Sequence, residues 1–426
     1  MLIQKRTQRK AGSALVVCLV TGMILGIVMV GYLTMVSSNQ RAVARSEAWN
    51  TTMPVIEAGI EEAMAHLHRN FPTNRTSNGW MASGTSNVLK WRWLGDSIYL
   101  VEVQGTNEPV IESSGFVRMP VNNVYLGRRV RVRTVYTNVI SRVVFADETI
   151  KLNGYSMNTD SYDSRDTNYS SVTGQYDPAK NKDGGDVGTN SDDPGAFNSG
   201  NSQILGRVST GSGSTVDIGA NGSIGSEAWH LAGNKGVEPG WSADDANVPM
   251  PVVQLPFNGG AFTPGPGLVG LTFYNYVLGS GNYQLSSFGG KVRVTGNAVL
   301  LVTDRVQFSG QDVIEIMPGA SLKLYVAARD ASIGGSGVVN MSGLATSFSY
   351  FGLPSNESLS IGGNSSLAGL IYAPSTAVQL NGGGNVYGAI MCKSASVNGA
   401  FNFHFDEALK DPRILGRYTI VSWDEI

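Results

Sequence analysis

The sequence predicts a mainly β protein carried on a long N-terminal membrane-spanning α-helix. A small antiparallel β domain follows the helix, and after it a β-solenoid of the parallel β-helix-like kind. Three observations predict this. An uncharged stretch from Ala14 to Val36 passes into a polar but helical run reaching about Leu67. Segments between Val88 and Val139 alternate apolar and polar residues at period two. Near the C-terminus, similar Gly- and Asn-rich segments recur at an offset of 19 residues. The chain then divides into a basic leader (1–12), a transmembrane helix with amphipathic stalk (13–68) and a small antiparallel β domain (69–140). A Gly/Asn/Ser-rich solenoid domain (141–415), with a loop insertion near 155–201, and a C-terminal cap or tail (416–426) complete it.

The helix comes first. Roughly 20 apolar residues at ~1.5 Å rise cross the ~30 Å hydrocarbon layer, and Ala14–Val36 is long enough. A cleaved secretory signal has an apolar region of about 7–15 residues and a small-residue cleavage site. This stretch is longer, and Ser37-Ser38-Asn39-Gln40 matches such a site poorly. Lys5, Arg6, Arg9 and Lys10 precede it, so the positive-inside bias places the N-terminus in the cytoplasm and the rest of the chain outside. Gly22 and Gly26 form a GxxxG pair, which lets two membrane helices approach closely, although glycine is common in such helices.

Beyond the membrane, Trp49, Met53, Ile56, Ile60, Ala63 and Leu67 recur at alternating steps of four and three. That spacing is the narrow seam of a helix packing on other helices. Pro54 inside the run removes a backbone donor and predicts a kink.

The residues Arg9-Lys10-Ala11-Gly12-Ser13-Ala14-Leu15-Val16-Val17 resemble the start of a class III, prepilin-type signal. Ser46-Glu47-Ala48 and Ile56-Glu57-Ala58-Gly59-Ile60-Glu61-Glu62-Ala63 are similar to the PilX-like branch of type IV minor pilins, where an "AEAG" segment closes the long helix. The resemblance implies cleavage by a prepilin peptidase between Gly12 and Ser13. It also implies packing with other pilin-like subunits through the helix, and an inner-membrane assembly platform as partner. The expected location is the bacterial inner membrane, with transfer into a pilus or surface filament. One position departs from the pattern: most pilins carry a glutamate five residues into the mature chain, and here that residue is Val17. Certain minor pilins, such as the K-type pseudopilin of type II secretion, lack it too and sit at the tip.

Composition bounds the remainder. Of 426 residues, 15% are charged, 42% are hydrophobic and 53 are glycine, with a net charge of −2. Such a mixture with enough apolar content reads as β-structure with many tight turns, and the charge offers nothing to nucleic acid. The two cysteines, Cys18 in the membrane helix and Cys392 near the C-terminus, are not expected to meet.

Leu89–Leu94, Ile98–Val103, Val110–Val117 and Arg128–Val135 read as half-buried antiparallel strands, the first two joined at Gly95-Asp96. Arg129, Arg131 and Arg133 project from one face, as a solvated surface or as a docking face for a neighbour. The Ile111-x-Ser113-Ser114-Gly115 turn before that strand again looks like the region after the helix in PilX-like proteins.

In the solenoid region Gly369–Ser375 aligns with Gly388–Ser394, Val378 with Val397, and Ile361 with Leu380, all at the offset of 19. Short strands separated by Gly/Asn corners at a fixed period suit stacked coils. Leu322–Val326, Arg293–Asn297 and Val306–Gly310 read as earlier coils, and an antiparallel sandwich is the rival reading. Glu407–Lys410 and Tyr418–Trp423 are candidates to cap the last coil. The segments "DSYDS" (160–164) and "NFHFDEAL" (402–409) resemble signatures of an uncharacterised domain found behind PilX-like helices.

No catalytic, cofactor or metal residues stand out. Asp160, Asp163 and Asp166, and then Asp183, Asp186, Asp192 and Asp193, read as a solvated loop, with calcium as the alternative. The four histidines are scattered, and His404 beside Asp406 and Glu407 reads as a capping contact. Two functions from different classes follow. One is a structural minor pilin or pseudopilin-like component, not an enzyme, whose solenoid head serves assembly or adhesion. The other is a membrane-anchored solenoid enzyme acting on polysaccharide.

Overall fold

The computed structural model describes residues 11–71, 74–119, 123–154, 157–363 and 366–426, with side chains from residue 14 onward. The leader cations Lys5, Arg6, Arg9 and Lys10 lie outside the described residues, as does Tyr155 at the start of the expected loop. The chain forms two compact units, one of residues 1–137 and 417–426 and one of residues 138–416.

The smaller unit is a single helix on an antiparallel sheet. The helix α1 (Ala11–Asn70) runs unbroken through Pro54, so the ring removes one donor without ending the helix. Its sheet contains β1 (Met81–Ala82), β2 (Val88–Leu94), β3 (Ser97–Gln104), β4 (Val110–Arg118) and β5 (Tyr125–Asn138). The last strand in the order is the C-terminal strand Gly416–Glu425, beside β5. This corrects the expected role of 416–426: the tail completes the N-terminal sheet and does not cap a coil. Its backbone donors and acceptors need a partner strand, and β5 supplies the edge.

Alternation explains which face is buried. Val101, Val103, Ile111, Val130 and Val132 turn inward, while Arg129 and Arg133 turn outward and Arg131 pairs with Glu112 at 2.7 Å. The helix lies close on this inner face because two glycines permit it. A Cβ on Gly115 would meet Ile56 Cγ1 at 2.8 Å and the Thr52 carbonyl oxygen at 2.9 Å, and one on Gly59 would meet Ser113 Oγ at 2.5 Å. Through that approach the Ser113 hydroxyl donates to the Ile56 carbonyl at 2.9 Å, and Lys90 pairs with Glu62 at 2.5 Å.

Apart from one antiparallel pair, Gly267–Val269 with Thr272–Tyr274, the described strands of the larger unit form parallel ladders and not the antiparallel sandwich. The unit's layers are not stacked in chain order. Val208 pairs with Val187, Val187 with Val144, and Val144 with Ile390. On the other side Ser349 pairs with Leu370, Leu322 with Phe348, and Ala298 with Leu322. The chain therefore enters mid-ladder, builds outward to about residue 243, and resumes at the far end to build back. Residues 246–262 make the crossing. Ala246 donates to the Thr210 carbonyl, Val248 is held by Asn190, Pro251 accepts from the Tyr372 hydroxyl, and Phe262 donates to the Asn282 carbonyl.

The offset of 19 is visible as register: Leu359 pairs with Val378 and Ile361 with Leu380. Gly388 sits on Gly369 so closely that a Cβ would strike the Gly369 carbonyl oxygen, which is why glycine recurs there. Phe145, Phe197, Phe308, Phe348, Phe403 and Phe405 fill the interior. The expected loop of 155–201 is narrower in the structure. Asn158–Tyr162, Val187–Thr189 and Phe197–Asn198 are ladder strands, and only residues 163–186 leave and fold back.

Candidate functional site

Two places carry functional geometry, one in each unit. In the smaller unit it is α1 itself. From Leu15 to Val43 its apolar side chains are uncovered, Leu25 and Val28 among them, and this is a helix long and apolar enough to cross a membrane. Gly12 and Ser13 lie in its first turn, and the Ser13 side chain falls outside what the structure describes. Gly22 and Gly26 sit in the bare part, where an added Cβ would meet no described atom within 4 Å beyond the helix's own adjacent backbone. Cys18 is also there, exposed and free.

The seam residues divide. Trp49 is exposed, with the Arg128 guanidinium 4.5 Å from its ring, and Arg128 also makes a bidentate pair with Glu425 at 2.7 and 2.8 Å. Met53 is half-buried, while Ile56 and Ile60 are fully enclosed by the chain's own sheet. The face that sequence spacing assigned to other helices is thus covered from Ile56 onward by β3 and β4.

In the larger unit the geometry centres on His404. Three layers put like residues in register: Asn402 faces Asn158 and His404 faces Asp160 across one ladder step. Asn385 and Tyr387 stack on the other side, with Asn402 Nδ2 donating to Asn385 Oδ1 at 3.2 Å and the Tyr387 ring 5.0 Å from the imidazole. The returning segment 163–186 lays Tyr176 over the same imidazole, with ring centroids 3.9 Å apart. His404 Nδ1 lies 2.6 Å from Asp160 Oδ1, and Asp160 Oδ2 accepts from the Tyr176 hydroxyl at 2.5 Å and Asn181 at 3.0 Å. Both carboxylate oxygens are therefore occupied. Burial, then the bond to Asp160, pushes the Tyr176 phenol well up; burial, then the Asp160 charge, raises Tyr387, so both hydroxyls stay neutral donors.

Two hollows flank this ridge, of about 590 Å³ on the Asn385–Asn402 side and about 380 Å³ on the Val338–Asn340 side, and both are lined by Tyr176 and Tyr387. Asp406 is buried, with Oδ1 accepting from the Ser164 and Ala408 amides, and burial pushes its carboxyl up.

The other flagged residues have partners of their own. Asp163 pairs with Arg165 at 2.8 Å, and Asp186 accepts the Arg207 amide at 2.7 Å. Among the described residues no group of three or more His, Cys, Asp or Glu is arranged to hold a metal ion. His66 stacks on Trp80 at 4.4 Å, His68 contacts the Tyr418 carbonyl and His230 the Ile204 carbonyl. Cys392 is fully buried, which pushes its thiol up.

Sequence reasoning noticed Asp160 and His404 apart and missed Asn385, Tyr176 and Tyr387. A signal was present: Asn385-Val386-Tyr387 and Asn402-Phe403-His404 repeat an Asn–apolar–aromatic triplet, and Asn158-Thr159-Asp160 is its third, altered copy.

Residues 272–412 match a family described as a domain of unknown function (DUF7305), roughly a third of the chain. The match includes Tyr387 and His404 but not Asp160 or Tyr176. No curated protein matches the chain. Among solved structures, the competence-associated pilin ComZ from Thermus thermophilus matches at 11% identity with a TM-score of 0.27, covering 88% of this chain and 97% of that one. Such a score does not establish a shared fold.

Proposed function

We propose that this chain is a structural subunit of the minor-pilin or pseudopilin kind, in a type IV pilus or a type II secretion-like system. In this reading α1 is first the membrane anchor and then the packing element, with Gly22 and Gly26 at its closest approach to neighbours. The leader is removed between Gly12 and Ser13 by a prepilin peptidase, and the assembly platform holds the subunit before incorporation. The larger unit is a β-solenoid head exposed for assembly or adhesion; its parallel layers and the Gly369–Gly388 stack support that description.

One observation carries the proposal: a single continuous helix is bare over its first part and enclosed by its own sheet over its last. A plain anchor needs no such rigid continuation, whereas a subunit that leaves the bilayer needs its apolar half fixed to its folded part. N-terminal sequencing of the exported protein tests it. Cells with prepilin peptidase are expected to yield a chain starting at Ser13, and cells without it a chain starting at Met1; a Met1 start in both contradicts the proposal.

A second reading, an anchored enzyme acting on polysaccharide, draws on the Asp160–His404 pair. Depolymerisation of polysaccharide by the purified chain, lost in His404→Ala, would favour it.

A further inference from the structure

We infer that the groove divided by Tyr176 and Tyr387 binds a short segment of neutral glycan. The inference rests on reading the larger unit as a contact module, and it is separate from the role of α1.

The lining selects the chemistry. Among the described residues around the two hollows there is no lysine or arginine, and the one carboxylate, Asp160, has both oxygens engaged by His404, Tyr176 and Asn181. An anionic ligand finds no lysine or arginine there, His404 being already turned to Asp160, and a cationic ligand finds no free anion. What remains unspent is neutral. Among the described residues Asn158 makes no side-chain hydrogen bond, Asn402 uses only its Nδ2 and Asn385 only its Oδ1, and the Tyr387 hydroxyl meets no hydrogen-bond partner. These amides and the phenol offer donors and acceptors in a row set by the ladder, facing solvent.

The second hollow is lined differently, by Val338, Val339 and Ala368 beside Gln175 and Asn340. A sugar ring presents hydroxyls at its edge and C–H groups on its faces. An amide row beside an aromatic ridge and a small apolar wall matches both. The two hollows fall within the usual size of a small-ligand site. A peptide is the poorer fit: the Asn158 strand is paired with Gln203–Ile204 on one side and with Asn402–Asp406 on the other, so it offers no free edge for strand addition.

Full-length protein in a detergent without a sugar headgroup is titrated calorimetrically with cellohexaose, maltohexaose and chitohexaose, and with hexagalacturonate as the charged counterpart. The expected result is saturable binding of at least one neutral hexasaccharide and none of hexagalacturonate. Tyr387→Ala, which removes the shared ring, should weaken it about tenfold or more. Asn158→Ala should weaken it severalfold; that side chain makes no internal bond, so the variant remains decisive if Tyr387→Ala does not fold. No binding of any neutral probe, preference for hexagalacturonate, or full affinity in the folded variants overturns the inference. Failure here leaves processing at Gly12–Ser13 intact, and a Met1 start there leaves glycan binding intact.

Discussion

The two parts of α1 both carry large apolar side chains and have opposite surroundings. Between Leu15 and Val43 large apolar side chains stand uncovered, whereas Ile56, Ile60, Ala63 and Leu67 are sealed under the sheet. Hydropathy marks the first part as the more apolar, and it does not explain why the second is enclosed. The sheet side does: Gly115 and Gly59 let the backbone of the enclosed part come within contact distance, and Ser113, Lys90 and Tyr99 reach across to Ile56, Glu62 and Glu62. Among the described residues the bare part meets no such surface within its own unit, which leaves its apolar side chains open to lipid or to other chains.

Substitutions can break that contrast, and the largest effect is expected in the enclosed part. Ile60→Asp places a carboxylate with no partner in the helix–sheet core and should cost about 4 kcal/mol or more, enough to abolish amide-exchange protection in β3 and β4. Gly115→Val should cost about 3 kcal/mol, because the new side chain meets helix backbone that cannot move aside. Trp49→Ala, at the boundary, removes the stacking of Arg128 and should cost about 1 kcal/mol, read as a small fall in thermal midpoint. Val28→Ala, in the bare part, should change the stability of the unit by about 0.5 kcal/mol or less, read in the same melt.

The smallest effect is a pH dependence. The hydrogen bond from Arg128 holds the Glu425 carboxyl below its ordinary value of 4.5. The pair's contribution is then present above that value and is lost as pH falls through the lower folded value. Exchange at the C-terminal strand, corrected for intrinsic rates, should quicken over that acid window in the native chain and show no such step in Arg128→Ala.

Much of this was legible in the sequence for identifiable reasons. The helix and the strands near 88–135 announce themselves by period, and their bounds agree with α1 and β2–β5. Gly369 and Gly388 disclose the stacking because only glycine fits where one strand presses on the carbonyl of the next. The partner of the seam was not legible, since spacing tells which face is buried and not by what. Nor was the return of the chain to its own middle: Val144 pairs with Ile390 across an intervening stretch that no local pattern encodes. The groove was lost for the same reason, because Asp160 and His404 meet only through that long-range register.

Photo-methionine incorporated in living cells tests the division of α1 most directly, because the native methionines sample both parts. Met23, Met29 and Met35 lie exposed in the bare part, and Met53 and Met64 pack against the sheet. After irradiation, Met53 and Met64 should cross-link within their own chain, to the sheet. Met23, Met29 and Met35 should cross-link to the helices of other protein subunits. Lipid adducts alone from those three, in cells assembling filaments, would contradict the account and leave α1 a simple anchor.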